Sequence, residues 1–377
     1  MKKVLAYFKK DIMLGVSILA AIVSLFITPP SAALLSGIDW KTLATLFMLL
    51  LVLDGFKSEN LFRPVINLAR KTRTQLALSF FLVFGVFFSS MFVTNDVSLI
   101  IFVPLTIILF RAGDKEKYIV PVIVMENIAA VRGSLLTPFG SPQNLFLFSQ
   151  SGISAGGFLG MMLPLWLMSI VLLSAFICFL YRRDLHEAIA ISGEGFSEWD
   201  PARKRNRLIY LGLFLVVVVT ILSRTALWPY ITLAVALTVL VFDRKAFARV
   251  DFALLLTFLC FFIFASSIAS NEKVAGFLKA SVSGNEYWWS IGISQIISNV
   301  PASIVLWPFT SANGLKPLIY GLDTAGLVSV IGSLASVINM RIYTKEYPGC
   351  GGKFMLDFEK ICLTFFAIVA PLQLLLF

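Results

Sequence analysis

Long apolar stretches alternate with short polar segments along the whole chain. A hydrocarbon core about 30 Å thick needs roughly 20 mostly apolar residues for each helical crossing. In the first half, this pattern predicts spans over residues 11–29, 38–56, a bent pair within 75–111, an interrupted helix over 117–150, and 157–181. In the second half, it predicts spans over residues 207–223, 226–242, 251–270, a bent pair within 287–312, an interrupted helix over 317–343, and 356–377. We therefore expect an all-α polytopic membrane protein.

The two halves contain the same kinds of element in the same order, which indicates a duplicated unit. We divide the chain into a first repeat with the N-terminal helix (1–181), a cytoplasmic loop (182–206) and a second repeat (207–377). Short echoes support this division: Asp39-Trp40 with Asp251-Phe252, Thr94-Asn95 with Ser298-Asn299, and Gly133-Ser134 with Gly332-Ser333. Each repeat is predicted to contain one re-entrant hairpin and one interrupted transmembrane helix.

Basic residues predict the orientation, because Lys and Arg in short loops stay on the cytoplasmic side. If both bent pairs return to their side of entry, most of the 31 Lys and Arg residues fall on the side of the N-terminus, which is then cytoplasmic. The other side holds only Lys41, Arg224, Lys273, Lys279 and Lys316. This assignment places Asp39 outside and Asp251 inside, so we predict that the two repeats are inverted. If each bent pair instead made two full crossings, the basic residues would be distributed in the same way. The depth of the bent pairs in the membrane therefore stays open.

Composition agrees with a membrane protein, since 58% of the residues are hydrophobic, 14% are charged and the mean hydropathy is +0.89. The net charge is +10. The basic residues flank apolar stretches and do not cluster with aromatic residues, so we expect the lipid bilayer and no nucleic acid as a partner. The four cysteines show neither a disulfide framework nor a zinc spacing, and we expect no cofactor besides a coupling sodium ion or proton. The first 33 residues could pass for a signal peptide, but we expect them to be retained as the first helix.

Enzyme motifs in the sequence are incomplete. The segment 152–156 fits the GxSxG pattern, but the only histidine, His186, is predicted to lie on the opposite side of the membrane. No second histidine stands four residues after His186, so the zinc-protease motif is missing. A Ser/Lys protease would need a lysine deep inside a span, and the lysines within the predicted bounds stand only near the starts of spans. We therefore expect a protein that is not an enzyme.

The first interrupted helix is broken at residues 137–144, where Pro138, Gly140 and Pro142 cannot continue a helix. Irregular backbone at membrane depth is tolerated only where protein or a watery cavity satisfies the freed amides. Its carbonyls can coordinate a cation, and the N-terminus of the next half-helix can face an anion. A simple loop at the membrane surface is the alternative interpretation.

Each bent pair has an asparagine at its predicted tip. Thr94 precedes Asn95, and Ser298 precedes Asn299. An amide beside a hydroxyl offers donors and acceptors that suit carboxylates, hydroxyls and desolvated sodium. Each asparagine could instead be a helix cap without a ligand. Because both tips show the same pair, we favour a binding role.

Ionisable residues inside apolar spans mark function, because each costs roughly 2.5 to 3.5 kcal/mol at a helix centre. The spans contain Asp96, Glu126, Arg132 and Asp323. Small side chains share the helical face of Glu126, which predicts that this carboxyl faces protein and not lipid. A structural ion pair between Glu126 and Arg132 is the alternative, although six residues of separation turn the two side chains about 120° apart.

Taken together, Thr94-Asn95-Asp96-Val97, the run from Gly140 to Leu145, and Ser298-Asn299 resemble the ion-transporter superfamily. That superfamily contains divalent anion/sodium symporters, citrate carriers, arsenite permeases and a class of sodium/proton antiporters. The resemblance implies an inverted-repeat fold with re-entrant hairpins, a homodimer, and an elevator-like movement of a transport domain against a scaffold. It also implies that Gly140 to Asn144 and Gly332 to Asn339 are the two helix breaks.

The resemblance, together with the residue patterns above, assigns the candidate site residues. Those expected to bind substrate are Thr94, Asn95, Ser141, Asn144, Ser298, Asn299, Ser333 and Asn339. Those expected to serve a coupling ion or proton are Asp96, Glu126, Arg132, Thr137 and Gly140, with a sodium ion near Asn95, Gly140 and Asn299. Two residues depart from the dicarboxylate branch: Asp96 looks like the aspartate of the permease and antiporter branch, and Arg132 stands where a small or amide residue is expected. Arg132 could supply a permanent positive charge to the site, or it could only neutralise Glu126 or Asp96.

We therefore expect a multi-pass protein of the inner membrane that transports a small anion, most simply a di- or tricarboxylate, coupled to sodium or protons. Arsenite or antimonite efflux and sodium/proton exchange are alternatives that Asp96 favours. An anion channel is the alternative from another functional class.

Overall fold

The computed structural model describes residues 12–28, 36–59, 61, 68, 69, 72–184, 187–189 and 204–376. The basic segment at the start of the chain, His186 and most of the predicted cytoplasmic loop lie outside these residues. The helices of the first half are α1 (Ile12–Ile27), α2 (Trp40–Ser58), α3 (Gln75–Val93), α4 (Asn95–Ala112), α5 (Ile119–Ser134), α6 (Pro142–Ser151) and α7 (Ala155–Leu180). Those of the second half are α8 (Lys204–Ser223), α9 (Trp228–Phe242), α10 (Lys245–Arg249), α11 (Phe252–Ala269), α12 (Glu272–Val282), α13 (Glu286–Ile297), α14 (Asn299–Leu306), α15 (Leu315–Ala325), α16 (Leu334–Glu346) and α17 (Gly351–Leu374).

Every predicted span corresponds to a helix or to a pair of helices, and the described residues form no β-strand. Five of the described helices, α3, α4, α7, α8 and α11, are long and apolar enough to cross a membrane. The prediction of an all-α polytopic membrane protein is confirmed. Helix α12 was not predicted, because its alternation of charged and apolar residues is too short to resemble a crossing.

Helices α2 and α11 begin with the same local structure and run in opposite directions. The carboxylate of Asp39 accepts a hydrogen bond from the amide of Thr42 (2.9 Å), and that of Asp251 accepts one from the amide of Leu254 (3.0 Å). A side-chain oxygen at this position satisfies an amide that the first turn leaves without a partner. Asp54, in the last turn of α2, pairs with Arg249 (2.6 Å), two residues before Asp251. The two matched caps therefore lie at opposite ends of an antiparallel pair, as inverted repeats require.

The tips of the two bent pairs share an unusual backbone conformation. Thr94 has φ 70° and ψ 156°, and Ser298 has φ 68° and ψ 159°. This region is essentially restricted to glycine and costs on the order of 1 to 3 kcal/mol for other residues. In both hairpins the next residue, Asn95 or Asn299, begins a helix. Strain that recurs at matched positions indicates that the surrounding structure imposes this turn.

Both interrupted helices are broken, but the sequence echo between them was read in the wrong register. Gly133 and Ser134 belong to the last turn of α5, whereas Gly332 and Ser333 lie in the second break. The true counterparts of Gly332 and Ser333 are Gly140 and Ser141, which end the first break. Ser141 (φ −146°, ψ 151°) and Ser333 (φ −146°, ψ 140°) have nearly the same backbone conformation.

The second break extends over residues 326–333, without a proline, and is as complete as the first over 135–141. Asn339, predicted in this break, lies inside α16 instead. At the end of this break Gly332 packs its Cα against the carbonyl of Ala325, a contact that leaves no room for a side chain. Gly140 contacts the carbonyl of Ser134 in the same way.

The helices pack into two groups. In one group, α1 packs on α11, and α2 packs on α8 and α9. In the other, α3 packs on α5, α13 on α15, α4 on α16, and α6 on α14. The second group contains both bent pairs and both interrupted helices, and it meets the first group along α2 and α11.

Candidate functional site

A cavity of about 500 Å³ lies between the two groups of helices. The first group contributes apolar residues of α2 and α11, among them Leu46, Leu53 and Leu254. The second group contributes both hairpin tips and both breaks, through Thr94, Asp96, Ser298, Pro142 and Ile331. Both hairpin tips and both breaks therefore contribute residues to one cavity, and a shared binding site there stays a prediction.

Four helix N-termini meet at the cavity. Helices α4 and α14 start at the residues that follow Thr94 and Ser298, and α6 and α16 start at Pro142 and Leu334. None of these four starts has a side-chain cap from the preceding residue, although Pro142 has no N–H and the amide of Asp96 donates to Asn95. Helix N-termini carry partial positive charge and free N–H groups, which makes each a potential anion-binding position. The arrangement is suited to a small anion with several oxygen atoms.

Hydroxyl groups next to these N-termini lack partners. The Oγ atoms of Ser141, Ser298 and Ser333 are buried and accept or donate no hydrogen bond among the described residues. Buried polar atoms are paired in the great majority of cases, so each exception calls for an explanation. A ligand or water molecule in the cavity would supply the missing partner for Ser298, which lines it.

The two hairpin asparagines have different local partners. Asn95 accepts a hydrogen bond at Oδ1 from the amide of Asp96 (3.0 Å). Asn299 donates from Nδ2 to the carbonyl of Leu322 in α15 (3.3 Å). Both side chains are therefore engaged, but each keeps further hydrogen-bonding capacity. Asp96 faces the cavity, and its Oδ1 has no partner among the described residues.

Thr137 and Gly140 shape the first break. The hydroxyl of Thr137 donates to the carbonyl of Met91 near the end of α3 (2.5 Å), which ties the break to the first hairpin. In the second repeat, Gln295 donates to the carbonyl of Ala325 (3.1 Å) and accepts from the hydroxyl of Ser329 (2.6 Å). Each hairpin tip thus lies beside the break of its own repeat.

Arg132 lies behind the first break and is fully buried. Its Nη2 donates to the hydroxyl of Thr324 (3.1 Å), while its Nε and Nη1 have no partner among the described residues. The carboxylate whose charge acts on the guanidinium is that of Asp323. Asp323 also accepts a hydrogen bond from Gln143 (3.0 Å) and lies beside the amide of Asn144.

Glu126 and Asn339 are placed away from the cavity. Glu126 is buried and accepts a hydrogen bond from Thr106 of α4 (2.5 Å). The interpretation of Glu126 and Arg132 as an ion pair is wrong, because their side chains bond to Thr106 and Thr324. Asn339 donates to the carbonyl of Ile123 (2.9 Å) and so joins α16 to α5.

Part of this polar cluster was not predicted from the sequence. Gln143 and Thr324 were not singled out, although each is adjacent to a candidate residue. Gln373 in α17 accepts hydrogen bonds from Tyr287 (2.7 Å) and Thr324 (2.9 Å). Gln373 is a polar residue inside the otherwise apolar end of α17, and its position could have indicated this cluster from the sequence. Asp323 had been noticed as an intramembrane ionisable residue, but its partners are distant in sequence.

The cavity opens toward one end, where exposed Lys57, Arg249 and Arg341 line it. Arg249 pairs with both Asp54 (2.6 Å) and Asp243 (2.8 Å), so two carboxylates compensate its charge. Burial acts to raise the pKa of Asp243, but hydrogen bonds from Arg249 and Tyr210 hold that pKa below its ordinary value. This end carries the loops that the basic residues assign to the cytoplasm.

The opposite end is closed by contacts between the two groups of helices. The guanidinium of Arg224 donates to the carbonyl of Phe148 and lies 4.1 Å from the centre of its ring. Gln150 donates to Asp39 (2.7 Å). Arg224 has a positive φ of 51°, which is uncommon outside glycine and indicates a constrained position. The described residues therefore form a cavity open at one end and tied shut at the other.

Comparison with known proteins identifies relatives. A family model described as a citrate transporter matches residues 4–344. Inner membrane protein YbiR of Escherichia coli is 32% identical over 347 residues, which cover 89% of this chain and 87% of that protein. An uncharacterized transporter of Methanocaldococcus jannaschii is 29% identical over 309 residues, covering 81% of each chain. A 46 kDa membrane protein of Mycobacterium leprae is 22% identical over 345 residues, covering 81% of this chain and 79% of that protein.

Proposed function

Since the chain belongs to the citrate transporter family, we propose that it is a secondary transporter of a small carboxylate related to citrate. This membership confirms the resemblance drawn from the sequence. The substrate occupies the cavity between the two hairpin tips and the two helix breaks. We place the protein in the inner membrane, in agreement with the name of the relative from Escherichia coli. The distribution of basic residues places its N-terminus in the cytoplasm.

The convergence of four helix N-termini on one cavity carries this proposal. Each N-terminus stabilises a nearby anion by about 0.3 to 1 kcal/mol when exposed and by up to about 2 kcal/mol in a partly buried geometry. Four of them acting together favour a ligand with more than one negative group. Ser298, whose hydroxyl has no partner among the described residues, supplies a side-chain contact at the same place.

Transport proceeds by alternating access, with the bent pairs and interrupted helices moving against the group formed by α1, α2, α8, α9 and α11. Three observations support this division: the cavity lies along the boundary, one end of it is open, and the other end is closed by Arg224 and Gln150. The matched hairpin tips and the antiparallel α2 and α11 support inverted repeats. A homodimer stays part of the proposal.

Re-entrant hairpins are also part of the proposal. Both helices of the first bent pair are long enough to cross the membrane, so helix length alone does not decide between two full crossings and a re-entrant hairpin. The turn between these two helices lies beside Thr137, in the break that separates α5 from α6. A turn at the level of that break favours a hairpin that ends within the membrane.

The coupling ion is sodium or a proton, and Asp96 is the candidate that lines the cavity. Its unpartnered carboxylate oxygen also favours a second candidate function, cation exchange or oxyanion efflux, in which this aspartate binds the transported cation or proton. Uptake of citrate by reconstituted protein in sodium buffer and in choline buffer separates sodium coupling from proton coupling. An anion channel would conduct citrate without exchange against internal citrate.

Asn144→Ala and Asn299→Ala test the site. Both variants remove a buried amide from the polar surroundings of the breaks without adding charge. We expect each to lower citrate uptake into proteoliposomes by at least tenfold, while gel filtration shows folded protein. Asn285→Ala, at an exposed position outside the cavity, is the matched control and should keep wild-type uptake. Wild-type uptake by both folded test variants would contradict the assignment.

A further inference from the structure

A side-chain hydrogen bond joins α5 to α15 at a point that we call the crossing, and a buried residue of each charge sign, Arg132 and Asp323, lies there. Arg132 in α5 donates to Thr324 in α15, a residue 192 positions further along the chain. The same spacing relates Gly140 to Gly332 and Ser141 to Ser333. The bond therefore joins equivalent positions of the two halves. The first half has the cation Arg132 at this position, and the second half has the anion Asp323 one residue before it.

The two charges are isolated from water and from other charged groups. Arg132 and Asp323 are both 0% exposed. The other titratable groups that act on this pair are the neutral phenols of Tyr287 in α13 and Tyr320 in α15. A buried ion is stable only when an opposite charge or several hydrogen bonds compensate it. Here Thr324 bonds to Arg132 and Gln143 bonds to Asp323, while Nε and Nη1 of Arg132 and Oδ2 of Asp323 have no partner among the described residues, so neither ion is satisfied by hydrogen bonds alone.

The pair is also connected to the cavity. Gln143, which donates to Asp323, directly follows Pro142, a lining residue at the start of α6. The first break begins within about one turn after Arg132. Neither charged side chain lines the cavity, so neither contacts a bound anion directly. Their charges nevertheless act on the cavity, because the protein interior screens charges poorly.

We propose that Arg132 and Asp323 form a compensated charge pair that sets the electrostatic potential of the anion site from behind. Arg132 is then not a free cation for the substrate, and Asp323 does not repel it, because each cancels the field of the other. The proposal rests on the proposed function, in that the bound species is an anion. The affinity of the site for an anion then depends on the balance of the two charges, although neither side chain touches the ligand.

Opposite effects of the two neutralising substitutions test the proposal. Asp323→Asn keeps an oxygen that can accept from Gln143 but leaves the guanidinium uncompensated, so the dissociation constant for citrate should fall by about tenfold. Arg132→Gln leaves the carboxylate uncompensated, and the constant should rise by about tenfold. The double variant should return to within about threefold of the wild type, and Arg132→Lys, which keeps the charge, should stay close to it. Binding of labelled citrate to purified protein measures these constants.

A purely structural role predicts something different, since disturbing the crossing should weaken binding in both single variants. Tyr181→Phe provides a matched control, because it removes a buried hydrogen bond to Ser79 (2.7 Å) far from the crossing and should leave citrate binding unchanged. Shifts of the two single variants in the same direction, or no shift, would overturn the charge-pair proposal. If Arg132→Gln does not fold, the direction in which Asp323→Asn changes the dissociation constant for citrate decides between the charge-pair role and a purely structural role. Wild-type protein that binds no citrate would refute the proposed function instead.

Discussion

The glycines that close the two helix breaks provide a sharp test of the fold. Gly140 lies against the carbonyl group of Ser134, and Gly332 lies against that of Ala325. A methyl group on Gly140 would overlap the Ser134 oxygen and approach its carbonyl carbon and Cα to 2.9 Å. A methyl group on Gly332 would overlap the Ala325 oxygen and approach its carbonyl carbon to 2.7 Å. We predict that Gly140→Ala and Gly332→Ala each impair transport.

The size of the expected effect depends on which atoms must move to make room for a methyl group. The obstructing atoms are backbone atoms at the ends of α5 and α15, and a helix end cannot rotate away as a flexible side chain would. Overpacking of a closely packed site costs typically 1 to 3 kcal/mol. That cost is large beside a total stability of about 5 to 15 kcal/mol. The break can relieve the overlap only by shifting the start of α6 or α16, which would displace an N-terminus from the cavity. We therefore expect a loss of citrate uptake of at least tenfold together with a lower unfolding temperature.

Gly292→Ala and Gly160→Ala are the matched controls. Both glycines lie in helices, and a Cβ at either would meet nothing within 4 Å. Alanine is favoured over glycine in a helix by up to about 1 kcal/mol, so these variants should be as stable as the wild type or slightly more stable. Uptake into proteoliposomes and thermal unfolding of purified protein measure the four variants in parallel. Wild-type uptake and stability in Gly140→Ala and Gly332→Ala would refute the close packing on which the reasoning depends.

Two further predictions concern the coupling group and the closed end of the cavity. Glu126→Gln should flatten the dependence of uptake on pH, because the amide cannot change its charge; an unchanged pH profile would assign the carboxyl a structural role beside Thr106. Arg224→Gln removes the contact with Phe148 and should expose the closed end more often, so that a cysteine introduced by Ser151→Cys reacts several times faster with a membrane-impermeant reagent. Equal labelling rates with and without Arg224→Gln would show that this contact does not hold the end closed.

The bilayer explains why so much of the fold could be predicted. A crossing helix needs a continuous apolar run of a narrow range of lengths, so the spans are visible in the sequence without any partner. Prolines at positions 138 and 142 predicted the first break for an equally local reason. The caps at Asp39 and Asp251 and the strained tips at Thr94 and Ser298 also occur where the sequence echoes stood.

The errors of the sequence analysis arose where local pattern was ambiguous. A glycine followed by a serine occurs at both 133 and 140, and only the packing of Gly140 and Gly332 on a carbonyl shows which pair ends the break. Asn339 was assigned to a break because the second interrupted helix has no proline to mark its limits. Helix α12 is too short and too polar to be recognised as a membrane element.

The sequence alone therefore determined the class of protein, the order of the apolar segments, the first break and the pairs of polar residues at the tips. The tertiary structure alone decided that both tips and both breaks contribute to one cavity, that its open end carries Lys57, and that Arg132 bonds to Thr324 and not to Glu126. The physical reason is the range of the interactions. Hydrophobic length and helix breaking act within one segment, whereas the partner of a buried charge is chosen by how distant segments pack.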